Sequence, residues 1–347
     1  MNRISAERRP RPHPNNRSPL TSNLTLAELC LQRGDFDQSR YILEKRVGQG
    51  ACDFKTLNLF AVSLAHIGDY DHAATIFQRL GNTFKLKSFR VKAGFNLGLV
   101  RFYQDLAVVG DLSVANYRYA IPGPPLAGFA PLSSDSFSQA ITLWREQLRG
   151  RHGYSEIIHT YLSFASLQAG DPENALRHLI SALSIHENFY ISHYVLGRVF
   201  LDFFHLALEG NDFPLPPEML EFFEIESYEV VRREKDRFVV QKETFLDIAM
   251  QAFLEGRSLN PLAPEISLSL AQAYLAAGMI EEATEALAIA EIYAPDTVAI
   301  LETSLLLHTS TQAAPQTIES IAQRAKALRL KKPDREVYFI IPPYYLS

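Results

Sequence analysis

Ten histidines and two cysteines are the side chains in this 347-residue chain best equipped to ligate a metal or carry reactive chemistry. Their spacing speaks against both. No HExxH pair occurs, and His159, His178, His186 and His193 are scattered over helix-forming sequence without metal-ligand spacing. Cys30 and Cys52 form no CxxC, and Cys30 falls on an apolar helix face where it reads as a small buried residue, which fits a reducing compartment. Gly48-Gln49-Gly50 has neither the lysine nor the following hydroxyl of a phosphate-cradling loop. No nucleophile sits in a recognisable elbow. The expectation is a protein without catalytic residues, metal or cofactor.

The elements that carry these side chains are repeated. Gly34-Asp35-Phe36 and Gly68-Asp69-Tyr70 are 34 residues apart, and the same spacing separates Ala249 from Ala283, Phe253 from Leu287, Pro261 from Pro295 and Leu162 from Leu196. Several unrelated columns sharing one period define a repeat of two helices. A large residue followed by a small one (Leu97-Gly98, Leu196-Gly197, Leu270-Ala271) marks a first helix that lets its neighbour approach closely. In the second helix Ala73, Ala175 or Ala283 is followed four residues on by Phe77, Leu179 or Leu287, so small and large residues share one face. Pro261 and Pro295 stop it, because proline cannot continue the hydrogen-bond ladder.

On the stretches 34–47, 68–80, 95–103, 170–183 and 273–295, the pattern resembles the tetratricopeptide repeat family. The resemblance implies an all-α, right-handed superhelical solenoid of about six to seven helix pairs, placed at about 20–53, 54–87, 91–149, 156–189, 190–261, 262–295 and 298–328. Ser39 stands where the family usually has alanine.

Composition agrees with a solenoid. At 47 % apolar residues there is material for a core spread along an axis, with no second globular domain required. Residues 1–19 hold Arg, Pro and Asn but almost no large apolar residue, so they read as a disordered basic arm. The first twenty residues contain five Arg against one Glu, which leaves about −9 on the remainder of a chain whose formal charge is −5. An acidic body argues against a general binder of phosphate backbones. No secretory leader or membrane span is legible, so the expected location is cytoplasmic, with peripheral contact to an anionic surface left open to the basic arm. Residues 329–347 end in a segment rich in Tyr, Phe and Ile, expected to dock and not to hang free.

Two repeats are stretched. Thirteen positions separate the first-helix apolar residue from the second-helix alanine in Phe60/Ala73, Leu162/Ala175 and Leu270/Ala283, whereas Leu97 to Ala140 is 43 and Leu196 to Ala249 is 53. Insertions are therefore expected at about 108–134 and 206–243, and Tyr228–Val231 with Phe238–Gln241 suggest a β-hairpin in the second. Loops of this length are commonly functional.

The family resemblance also implies that the first helices line a partner-binding groove. Projecting its inward-facing columns onto this chain selects Lys92, Phe95, Leu99, Phe102, Tyr103, Phe164, Tyr194 and Arg198, a predominantly apolar and aromatic set with cations. The family's Lys/Asn/Arg clamp for a C-terminal carboxylate is not carried over, because Leu24, Glu28, Leu59 and Asn96 occupy clamp positions. The expected function is a non-catalytic scaffold or adaptor that holds a protein or peptide with apolar anchors. The alternative is a nucleic-acid-binding array of the pentatricopeptide kind, which would need a basic groove.

Overall fold

The computed structural model describes residues 19–32, 35–108, 135–149, 155–168, 171–295 and 298–331. The architecture is all-α: the described residues fold into fifteen α-helices, with one small hairpin. The chain divides after Val100 into two units.

The first unit holds α1 (Pro19–Gln32), α2 (Phe36–Gly48), α3 (Phe54–His66), α4 (Tyr70–Thr83) and the first part of α5 (Lys87–Val108). Helix α1 packs on α2 and α3 on α4, the paired arrangement the 34-residue period demands. The recurring Gly-Asp turn has a local cause. Gly68 adopts φ +87°, a left-handed conformation open to glycine, at the end of α3. The aspartate then starts the next helix, as where the Asp35 carboxylate accepts the Gln38 amide at 3.2 Å. Ser39, in the alanine column, is fully buried and its hydroxyl donates to the Ala27 carbonyl at 3.0 Å, with the Ser63 hydroxyl also at 3.0 Å. A polar group is tolerated there because it is hydrogen-bonded.

The second unit holds the rest of α5 with α6 (Asp135–Arg149), α7 (Ser155–Gln168), α8 (Pro172–Ile185) and α9 (Tyr190–Leu208). It continues through α10 (Pro217–Phe222), β1 (Val230–Glu234), β2 (Arg237–Val240) and α11 (Lys242–Leu259) to α12 (Pro264–Ala276), α13 (Ile280–Tyr293), α14 (Val298–Ser310) and α15 (Pro315–Lys331). The packed pairs are α7/α8, α9/α11, α12/α13 and α14/α15. First helices also meet across repeats, α7 with α9, α9 with α12 and α12 with α14. Gly197 shows why the small column is small: a Cβ there would lie 2.5 Å from the Phe253 ring of α11.

Between α9 and α11 the chain forms α10 and an antiparallel hairpin in which Arg233 opposes Phe238. This stretch is packed down by its apolar residues. Leu215 and Met219 are fully buried, Phe213 stacks on Phe203 at 4.3 Å, and Phe223 meets Phe200 edge-on at 4.8 Å. The other stretch, 109–134, lies outside the described residues, as do the basic arm before Pro19 and the segment after Lys331.

Candidate functional site

In the second unit the first helices of three successive repeats, α9, α12 and α14, enclose a cleft of ≈ 290 Å³. Its wall combines Leu201, Leu275, Ala276 and Leu306 with Arg198, His205, Gln272 and Ser310. Helical spacing explains the convergence. Leu201 and His205 are four apart on α9, as are Leu306 and Ser310 on α14, so each helix offers one face to the same space. Leu306 remains 58 % exposed, an unusual state for a leucine on an inward-facing helix.

A hydrogen-bond ladder that includes two side chains of this wall crosses the three helices. Arg198 Nη1 donates to Gln272 Oε1 at 2.8 Å, and Gln272 Nε2 donates to Thr303 Oγ1 at 3.1 Å. Thr303 Oγ1 in turn donates to the Ala299 carbonyl at 2.9 Å. The hydrogen bond to Gln272 restrains the guanidinium on the wall of the cleft. Arg198 Nη2 also lies 3.7 Å from Oδ1 of Asp202, one turn further on. That carboxylate is buried, and its Oδ1 accepts no hydrogen bond in the structure.

The electrostatics follow from burial. Desolvation pushes the Asp202 carboxyl up to about 7 against the pull of Arg198, so near neutrality the pair passes between two opposed charges and the guanidinium's charge alone. Burial likewise raises Glu265, at the start of α12, to about 7. Tyr194 is raised, chiefly by burial, and its hydroxyl is hydrogen-bonded to Ser269. His205 is lowered by burial and then by Arg198, which keeps it neutral at ordinary pH.

The residues selected from the sequence are divided by the structure. Tyr194 and Arg198 lie four apart on α9; Arg198 lines the cleft, and Tyr194 lies outside its lining, with its ring centroid 6.4 Å from that of Phe253. Lys92 is half-buried on α5 in the first unit, where burial and then the charge of Lys55 lower its pKa. Phe95, Leu99 and Phe102 are 5 %, 2 % and 0 % exposed. These three, expected in the groove lining, are buried side chains in the folded chain, and Phe102 packs against Trp144 of α6 at 5.8 Å. Large rings on a first helix bury themselves wherever a neighbouring helix supplies apolar surface, because leaving them in water forfeits hydrophobic free energy. The side chains of Tyr103 and Phe164 lie outside the described residues. Asp202, which the same projection of inward-facing columns places in the groove, is buried and does not line the cleft. Sequence reasoning missed Gln272 and Leu306, which carry no signal without the register between repeats.

Among the described residues no group of three or more His, Cys, Asp or Glu is gathered as a metal ion would need. None of their helices is long and apolar enough to cross a membrane.

Residues 24–45 and 264–288 match the model of the tetratricopeptide repeat family. No curated protein matches the chain. Among solved structures, a MamA fragment (41-end) from Desulfovibrio magneticus RS-1 is 13 % identical over 58 % of this chain and 89 % of its own, with a TM-score of 0.38. TTC0263, a thermophilic TPR protein in Thermus thermophilus, is 15 % identical over 61 % and 90 %, with a TM-score of 0.36. A chain of the APC/C hetero-tetramer Cut9-Hcn1 is 14 % identical over 96 % and 57 %, with a TM-score of 0.45. At these scores the likenesses say nothing about partners. The 34-residue period, the packed helix pairs and the two segments that match the family model show that the chain carries tetratricopeptide repeats.

Proposed function

We propose that the chain is a non-catalytic adaptor that captures a segment of a partner protein in the cleft between α9, α12 and α14. The observation that carries this reading is Arg198, held by Gln272 on the wall of an otherwise largely apolar cleft. Concave sites of this size with a few fixed polar groups are the usual form of a binding pocket. An apolar side chain fits against Leu201, Leu275 and Leu306, while the guanidinium and Gln272 address the partner's polar atoms. Tyr194 continues the same face, and Lys92 is the groove cation of the first unit. The pentatricopeptide-like alternative gains no support here, since Arg198 is the one Lys or Arg among the lining residues.

The test is a selection of peptides from a random library on the intact chain, followed by NMR mapping of a selected peptide. Shifts at the methyls of Leu201, Leu275 and Leu306, abolished by Leu275→Glu without loss of helical content, are the expected result. Shifts confined to other surfaces would remove the cleft from consideration.

A further inference from the structure

The wall of the cleft between α9, α12 and α14 is built largely from Leu201, Leu275, Ala276 and Leu306, and Leu306 stays 58 % exposed there. An apolar wall left in water is an incomplete contact, and the described residues do not complete it. The chain that follows α15 carries side chains suited to doing so. Within residues 332–347, outside the described part, Val337-Tyr338-Phe339-Ile340-Ile341 are all β-branched or aromatic. Pro342 holds Ile341 to extended backbone, and alternate side chains of an extended chain share a face, which groups Val337, Phe339 and Ile341.

Reach is the next requirement. Helix α15 starts at Pro315, five residues after α14 ends at Ser310, and packs back along it. Its last residue, Lys331, therefore lies about 25 Å, the length of a 17-residue helix, from the turn 306–310 that forms part of the cleft wall. The ten residues from Lys331 to Ile341 span up to about 33–36 Å when extended, enough to bring the apolar run to the wall. A tether this short keeps the run near the wall at roughly millimolar effective concentration.

From this reach and chemistry we infer that residues 337–341 occupy the cleft in the resting chain, with Phe339 against Leu275 and Leu306, and that a partner segment binds by displacing them. The inference rests on the reading of the cleft as a partner site and adds what guards it. Self-occupancy also defines the competitor, an extended segment of alternating β-branched and aromatic residues. The contact is made by the apolar wall, and the hydrogen bond between Arg198 and Gln272 stays in place.

The experiment uses the full chain with labelled leucine methyls and, as probe, a synthetic peptide of residues 331–341. In the unaltered chain, NOEs from the Phe339 ring to the methyls of Leu275 and Leu306 are expected. Phe339→Ser together with Ile341→Ser should abolish them and tighten binding of the peptide added in trans about tenfold, the gain from removing a self-ligand at millimolar effective concentration whose Kd is on the order of 0.1 mM. Leu275→Glu in that double variant should abolish trans binding with helical content unchanged. Trans binding of equal strength at the cleft methyls of the unaltered and doubly substituted chains would refute self-occupancy while sparing the cleft as a partner site. NOEs from Phe339 to Leu305 and Leu328 instead, which pack on the core of the last helix pair, would place the segment on the end of the array and refute the inference. Absence of both the NOEs and trans binding would refute it too. The cleft itself is then judged by library-selected peptides on the double variant, whose failure to shift the methyls of Leu201, Leu275 and Leu306 would remove it as a site.

Discussion

The Nδ1 atoms of His159 and His178 face each other at 3.0 Å across α7 and α8, and their ring centroids are 5.2 Å apart. The difference between those distances is about two ring radii, so the nitrogens point at one another. One Nδ1–H donates to the other Nδ1. A chelated metal would require the two lone pairs to converge on a third point. Protonating both rings would set two N–H groups head to head.

The first prediction concerns acid sensitivity of this repeat. Burial, followed by the charges of His159 and Arg145, lowers His178 to about 4, and burial lowers His159 as well. A histidine whose folded pKa lies below its unfolded value of 6.5 is protonated first in the unfolded chain. Its contribution is present above pH 6.5 and is lost as pH falls from 6.5 towards 4. His178→Gln should remove a loss on the order of 1–2 kcal/mol over that window, after allowance for the ring's partial exposure. Urea melts at pH 7 and pH 4.5 measure it, and an unchanged acid slope would refute the pairing.

A second histidine offers an independent check in the first unit. His66 is buried, stacks on Phe36 at 4.1 Å with parallel rings, and has no hydrogen-bond partner for either nitrogen. Burial lowers it to about 4, so it too loses stability as pH falls from 6.5 towards 4. His66→Phe should keep the stack and remove two buried unsatisfied nitrogens. It should hold or raise stability at pH 7, by up to about 1–2 kcal/mol, with a flatter acid limb. Marked destabilisation at pH 7 would show that the imidazole has an unseen partner.

The repeat register can be tested at its tightest point. Gly197→Ala places a methyl 2.5 Å from the Phe253 ring and should cost about 1–3 kcal/mol. Phe253→Leu in the same chain should recover part of that cost, because the two changes share one contact. Additive effects in the thermal melts would mean that the helices do not meet there.

Phe102 and Arg198 separate packing from binding. Phe102→Ala empties a fully buried site against Trp144 and should cost about 3–5 kcal/mol. Arg198→Gln, at a half-buried site, should alter peptide affinity with a far smaller shift in melting. The reverse pattern would return Phe102 to the groove lining and remove Arg198 from the site.

The helix pairs and their period follow from the order of residues along the chain. Its signals are local: glycine with positive φ at Gly68, an aspartate cap at Asp35, and an alternation of small and large residues such as Leu196-Gly197 that dictates which faces approach. The hairpin around Phe238 was legible for the same reason, since β-branched and aromatic runs flank a charged turn. Tertiary structure alone decided which apolar residues are core and which remain open. Phe95 and Leu306 both sit on first helices and look alike in sequence, yet one is 5 % and the other 58 % exposed. That difference depends on what the neighbouring repeat brings alongside. The same holds for Arg198 and Gln272, 74 residues apart in sequence and 2.8 Å apart in space. Their contact depends on the offset between α9 and α12, and packing of whole helices sets that offset, not the residues of either one.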